Sequence, residues 1–148
     1  MAAESRDSEA TIKKYMYWAM GAGLIPIPAL DVAAVTAIQL NMVAELAHEH
    51  RQDFSREAGR AFVASLVCGS LPAIMAGPFA RLIKAIPLIG QTAGALAMPA
   101  LAGASTYAVG KVFVQHFESG GTFRNFDPEA ARVDYAGHLG NARAAIGT

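Results

Sequence analysis

The segment GLIPIPALDVAAVTAIQLNMVAEL, Gly23 to Leu46, decides the fold class. Pro26 and Pro28 stand one residue apart, and each pushes the residue before it out of the α region, so the chain is extended and turning here. Directly afterwards the apolar residues recur every three or four positions, the period of a helix and not of a strand. Proline is tolerated in a first helical turn, where its missing N–H had no partner, and Asp31 falls where unpaired amides favour a carboxylate. The spacing predicts a helix from Pro28 to Arg51. Asn41, Glu45, His48 and Gln52 are expected to form its solvated stripe, with Val35, Ile38, Met42, Val43 and Leu46 facing elsewhere. Gln39 falls on the apolar side, where its amide is expected to bond a neighbouring group inside the bundle.

Upstream, a first helix is predicted from near Ser8, with Glu9 near its positive end, until Gly21 and Gly23 weaken it. Tyr15, Tyr17 and Trp18 cluster at its end beside Lys13 and Lys14. Such a group suits a membrane interface, where rings sit at headgroup depth and ammonium groups reach outward, and it equally suits ordinary core packing. Downstream, RQDFSREAGRA (Arg51–Ala61) makes a bend and a helix start with Ser55 as N-cap. Two uncharged runs follow, Ala61–Ala80 and Ala85–Gly110, then an amphipathic Lys111–Gly121. In the polar tail beyond, Pro128 and Glu129 open a short helix that is expected to fray. The expected organisation is an N-terminal amphipathic helix over 1–22, a hydrophobic helical core domain over 23–121, and a polar C-terminal tail with a short helix over 122–148. The predicted fold is all-α: a compact bundle of about four to six helices around an Ala/Gly-rich apolar hairpin.

Both uncharged runs reach the length of about 20 residues that crosses a hydrocarbon core. The second run is dominated by Ala and Gly, however, and Pro72, Pro87 and Pro99 free backbone groups that lipid does not satisfy. These runs suit close helix packing: Gly90 and Gly94 form a small-x-x-x-small pair, continued by Ala93, Ala97 and Leu101 and by Ala100, Ala104 and Ala108. Such a hairpin is the buried centre of a bundle, the seam of an oligomer, or a helical pair that enters lipid.

Composition narrows the function classes. Hydrophobic residues make up 53% of the 148 and charged residues 16%, against roughly 25% charged in an ordinary soluble domain. The shortfall points to a membrane surface or a large oligomer interface. Twelve basic and twelve acidic residues cancel, and no basic stripe with interleaved aromatics is present, so nucleic acid is not an expected partner. A single cysteine allows no internal disulfide, and Cys68, in an apolar stretch, is expected to be a small core residue. MAAESRDSEATIKKY at the start mixes acids and bases before any apolar run, unlike a secretory signal or transit peptide. The expected location is the cytoplasm, at the cytoplasmic face of a membrane.

No catalytic constellation stands out. Gly21 and Gly23 precede prolines and follow a helix, which is not the strand-to-helix setting of a phosphate cradle. Glu45 and His48 project from one helix face as in carboxylate-bridged di-metal bundles, but such sites need a second Glu-x-x-His and two further Glu, and His116 with Glu118 has the wrong spacing. Glu45 and His48 are therefore weak metal candidates. The Asp residues sit at turns and helix starts, where no Ser-His-Asp or Cys-His arrangement forms. No catalytic residue, cofactor or enzymatic activity is expected.

Three stretches together resemble a bacterial family called domain of unknown function 697, the YcjF-like group. They are IPIPALDVAAVTAIQLNMVAELA with Pro26, Pro28, Asp31, Gln39 and Met42; KAIPLIGQTAG with Ile86, Pro87, Ile89 and Gly90; and STYAVGKVFVQHFE with Thr106, Gly110 and Lys111. The resemblance runs from Gly21 to Gly121. It implies a hydrophobic helical module, attached to an Era-like or dynamin-like GTPase domain or made as a separate membrane-associated protein. These residues contain no G-x-x-x-x-G-K-[ST] loop, so nucleotide chemistry would belong to a partner. The expected function is a non-enzymatic, membrane-associating helical module, accessory to a GTPase and self-assembling as a homo-oligomer through small-residue packing. The alternatives are a soluble homo-oligomeric scaffold or cargo-like protein, and a pore-forming hairpin module.

Overall fold

The computed structural model describes residues 2–22, 28–69 and 91–146. They form five helices and, among the described residues, no strand: α1 (Ala2–Ala22), α2 (Pro28–Glu49), α3 (Arg56–Gly69), α4 (Gln91–Glu118) and α5 (Pro128–Ile146). The all-α bundle expected from periodicity is what is observed. Pro26, Pro87, Gly90 and residues 70–90 of the expected hairpin lie outside the described residues; Pro28, Asp31 and Gly94 lie within α2 and α4.

The helix ends follow from local chemistry. Ser55 caps α3, its hydroxyl accepting from the Ala58 amide at 3.4 Å. Asp127 caps α5, accepting from the Glu129 amide at 3.0 Å and the Ala130 amide at 3.4 Å, with Pro128 in the first turn. α2 and α4 close in the same way. After α2 the Gln52 amide returns to the Ala47 carbonyl (2.8 Å) and the Arg51 amide to His48 (3.1 Å); after α4 the Gly121 amide returns to His116 (3.0 Å) and the Gly120 amide to Phe117 (3.1 Å). This motif needs one left-handed residue. Gly120 supplies it at φ 87°, whereas at the end of α2 Arg51 is held there at φ 56°. Arg51→Gly relieves that conformation without touching the core, and denaturant titration is expected to show a gain of about 0.5–1 kcal/mol.

α4 is the central rod. Gly103, Ala104, Thr106, Ala108, Val109, Gly110, Val112, Phe113, Val114 and Phe117 are all buried, which covers most of its circumference. α1 and α5 pack along it most extensively, and α2 less so. Ala104 and Ala108 are buried, and at Gly110 a side chain would meet Ile12 and Met42 at 2.7 and 3.1 Å. At one end six phenylalanines meet, Phe113 stacking on Phe126 with ring centroids 4.2 Å apart and Phe54, Phe62, Phe117 and Phe123 around them.

Four sequence expectations are corrected. α1 begins at Ala2, well before Ser8, because Ser8 does not cap a helix but is buried (1% exposed) against Glu49. α5 is not a short fraying helix: it is 19 residues long and sets Tyr135, Leu139 and Ala142 in the core. Cys68 is exposed, because the buried stripe of α3 is Gly59, Val63 and Leu66 and a residue two positions on faces away. The stripe of α2 is also only partly solvated: Asn41 and His48 are exposed, while Glu45 and Gln52 are half-covered.

Candidate functional site

The polar side chains that break the apolar pattern are tied together across helices. Gln39 is 3% exposed, and its amide donates to the hydroxyls of Thr106 (3.1 Å) and Ser105 (3.3 Å) on α4. Thr106 in turn donates to the Ala102 carbonyl (2.8 Å), and Ser105 shares a 3.0 Å hydrogen bond with the Tyr135 hydroxyl of α5. Burial pushes the Tyr135 hydroxyl up from its ordinary pKa, more than its bond to Ser105 pulls it down, so it stays neutral. One amide therefore links α2, α4 and α5. Both N–H groups of the Gln39 amide are engaged in this way.

A second seam joins α1 to α2. Ser8 and Thr11 donate to the Glu49 carboxylate at 3.3 and 2.6 Å, and Lys14 donates to both Glu45 oxygens at 3.0 Å. Tyr15 donates to Glu45 at 2.7 Å. Burial, then the Glu45 bond and the charges of Glu45 and Glu49, push the Tyr15 hydroxyl up to about 12. For Glu45 burial acts upward, but the bonds from Tyr15 and Lys14 and the Lys14 charge outweigh it and hold the carboxyl below its ordinary 4.5. Lys111 of α4 pairs with Glu9 of α1; burial lowers its pKa, yet the Glu9 bond and charge leave it raised.

The signs define a pH window for this seam. The Glu45 contribution is complete above pH 4.5 and is lost as pH falls through its depressed folded value; the Tyr15 contribution is complete below pH 10.0 and is lost as pH rises toward about 12. Glu45→Gln is therefore expected to remove the acid limb that Glu45 adds to a melting-temperature profile against pH and to reduce the alkaline limb, the part set by burial of Tyr15 remaining. Lys14 and Glu45 are 50% and 35% exposed, so its cost at neutral pH stays within about 1 kcal/mol.

The weak metal candidates are accounted for by the same contacts. Glu45 is engaged by α1 and His48 is exposed, and among the described residues no three of His, Cys, Asp and Glu come together as a metal site. His116 directs its Nε2 at the Thr122 carbonyl (2.8 Å) and the Asn125 side-chain oxygen (2.9 Å), fixing the loop between α4 and α5. Beside it a cleft of about 250 Å³ is lined by Asn125, Asp127 and Asp134.

The aromatic cluster of α1 divides. Tyr15 packs against the core and bonds Glu45, whereas Tyr17 and Trp18 are 65% and 68% exposed. The core-packing alternative fails for those two rings. Ile12, Met16 and Ala19 are buried apolar residues of α1, with Ser8 and Thr11 beside them, and Tyr17 and Trp18 lie off that stripe. Lys13 and Lys14 are exposed nearby. Of the residues expected from the family resemblance, Gln39 and Thr106 meet, and Met42 and Gly110 meet below α1. Tyr135, Ser105 and the phenylalanine cluster were not expected from the sequence. A signal existed for Tyr135, since Ala131, Tyr135, Leu139 and Ala142 recur at helical spacing.

No described helix is long and apolar enough to cross a membrane. No solved structure matches the chain. Over 130 residues the chain is 40% identical to magnetosome membrane protein 22 of Magnetospirillum gryphiswaldense, an alignment covering 86% of this chain and 66% of that relative. The chain thus spans just under two thirds of the relative's length. The family model described as a domain of unknown function, DUF697, matches residues 1–134, and the chain belongs to that family.

Proposed function

We propose that the protein is a membrane-associating helical module with no catalysis of its own, one that assembles with further copies of itself and serves a GTPase encoded elsewhere. The observation that carries this reading is the 40% identity, over most of the chain, to a protein named for the magnetosome membrane. The low charge content and the two uncharged runs support it. So does the chemistry of the interior, where Gln39, Thr106, Ser105 and Tyr135 are spent on one another. Because no described helix reaches the length and apolarity of a span, the described helices fit attachment along a membrane surface. The GTPase and self-assembly parts rest on the family resemblance and on the small residues of α4.

The test is fractionation of cells expressing the full chain. The protein is expected in the membrane pellet, released by alkaline carbonate or high salt if held at the surface and only by detergent if inserted. Recovery in the high-speed supernatant without any treatment overturns the membrane reading and leaves a soluble scaffold.

A further inference from the structure

The membrane reading leaves open which surface meets lipid, and α1 offers one. Successive residues of a helix turn by about 100°, which puts Arg6, Lys13, Tyr17 and Gly21 on one line with Lys14 and Trp18 beside it. All six are exposed. The opposite line, Ser8, Ile12, Met16 and Ala19, is buried against the bundle. We propose that this outward face of α1 is where the chain lies on an anionic bilayer, its basic side chains toward lipid phosphates and carboxylates and the rings of Tyr17 and Trp18 at headgroup depth. The inference deepens the proposed function and rests on it.

Three observations favour lipid as the occupant. The face carries Arg6, Lys13 and Lys14 against Asp7 among its described side chains, so its charge complements an anionic surface even with Lys14 shared with Glu45. Tyr and Trp are the side chains that collect where an apolar layer meets water, and here both are about two-thirds exposed. They also sit at the end of α1 that continues in the sequence into Gly23, Leu24, Ile25, Pro26 and Ile27, an uncharged and mostly aliphatic stretch. The face is held rigidly from behind by the Glu45 and Glu49 seam and the Lys111–Glu9 pair, so docking orders little that is not already ordered. A second copy of the chain is the rival occupant. A two-fold contact would set this basic face against itself, and like charges would oppose it.

Trp18 is the one tryptophan in the chain, so its fluorescence reports this face alone. The purified full-length protein is mixed with vesicles of phosphatidylcholine, and separately with vesicles of phosphatidylcholine and phosphatidylglycerol. Trp18 emission is expected to shift to the blue and become protected from iodide with the anionic vesicles, and the effect should weaken as salt is raised. In co-sedimentation, Lys13→Glu is expected to weaken binding by about tenfold or more, and Tyr17→Ala with Trp18→Ala by at least about tenfold, with helicity by circular dichroism unchanged. Vesicle binding with unshifted Trp18 emission and full-strength binding by both variants overturns the inference while the membrane reading stands. A blue shift that grows with protein concentration in the absence of vesicles also overturns it, assigning the face to a second copy. Failure to bind either vesicle sinks both this inference and the membrane reading.

Discussion

Phe113→Ala is expected to lower the stability of the fold by about 3–5 kcal/mol and the melting temperature by on the order of 10 °C. Phe113 is completely buried on the central helix. Its ring stacks on Phe126 at 4.2 Å and 16°, lies near-parallel to Phe123 at 6.3 Å, and tilts against Phe117 at 6.0 Å. Phe123 and Phe126 belong to the loop that turns α4 into α5, and Phe62 of α3 packs on both. Truncation thus removes one ring's apolar transfer and leaves a void lined by rings from α4 and from the loop, which are too large to collapse into it. Phe113→Leu keeps most of the volume and is expected to cost about 1.5 kcal/mol or less. Denaturant midpoints for the two variants check the ordering. An alanine variant within about 1 kcal/mol of the parent would mean that the cluster is not closely packed.

The same cluster shows where reading from the sequence stops. α2 was legible because Pro26, Pro28 and a clean helical period mark its start and one apolar face. The start of α3 was legible from Ser55. Phe113 and Phe117 stand four apart on a helix, but Phe123 and Phe126 sit in a loop, where no period announces burial. In α5 the buried residues are separated by Gly137, His138, Gly140 and Asn141, so local composition reads as a polar tail although Tyr135 is 1% exposed. Glu45 belongs to a regular polar stripe on its own helix; that Lys14 and Tyr15 arrive to meet it is a fact of α1 packing and not of α2. For Tyr17 and Trp18 two readings stood level until the fold fixed which face of α1 is turned inward, by the choice of Ile12, Met16 and Ala19. The candidate site was thus legible as residue types and unreadable as geometry.

Gly110→Leu is expected to separate α1 from the bundle. A glycine in mid-helix costs about 1 kcal/mol relative to alanine, so its place in α4 needs a compensating contact. That contact is close approach: a Cβ on Gly110 would stand 2.7 Å from Cγ1 of Ile12 and 3.1 Å from Sδ of Met42. Both neighbours are fully buried, so a larger side chain at this position has to displace them from their packing. Leucine therefore forces the helices apart, at about 3 kcal/mol or more by the usual cost of overpacking. Alanine gains helix propensity and loses packing, and its net cost is expected to be smaller, about 1 kcal/mol. Shortening the opposing side chain separates a steric cause from a backbone one. In the Gly110→Ala background, Ile12→Ala is expected to cost less than it does in the parent, giving a coupling of about 1 kcal/mol in a double-mutant cycle. Independent, additive effects would show that Ile12 does not seat on Gly110. Because the Glu45 and Glu49 seam depends on α1 lying in place, Gly110→Leu should also abolish the acid and alkaline limbs that Glu45 and Tyr15 impose on stability, whereas Phe113→Ala, which leaves the Gly110–Ile12 contact and the seam residues unchanged, should preserve them.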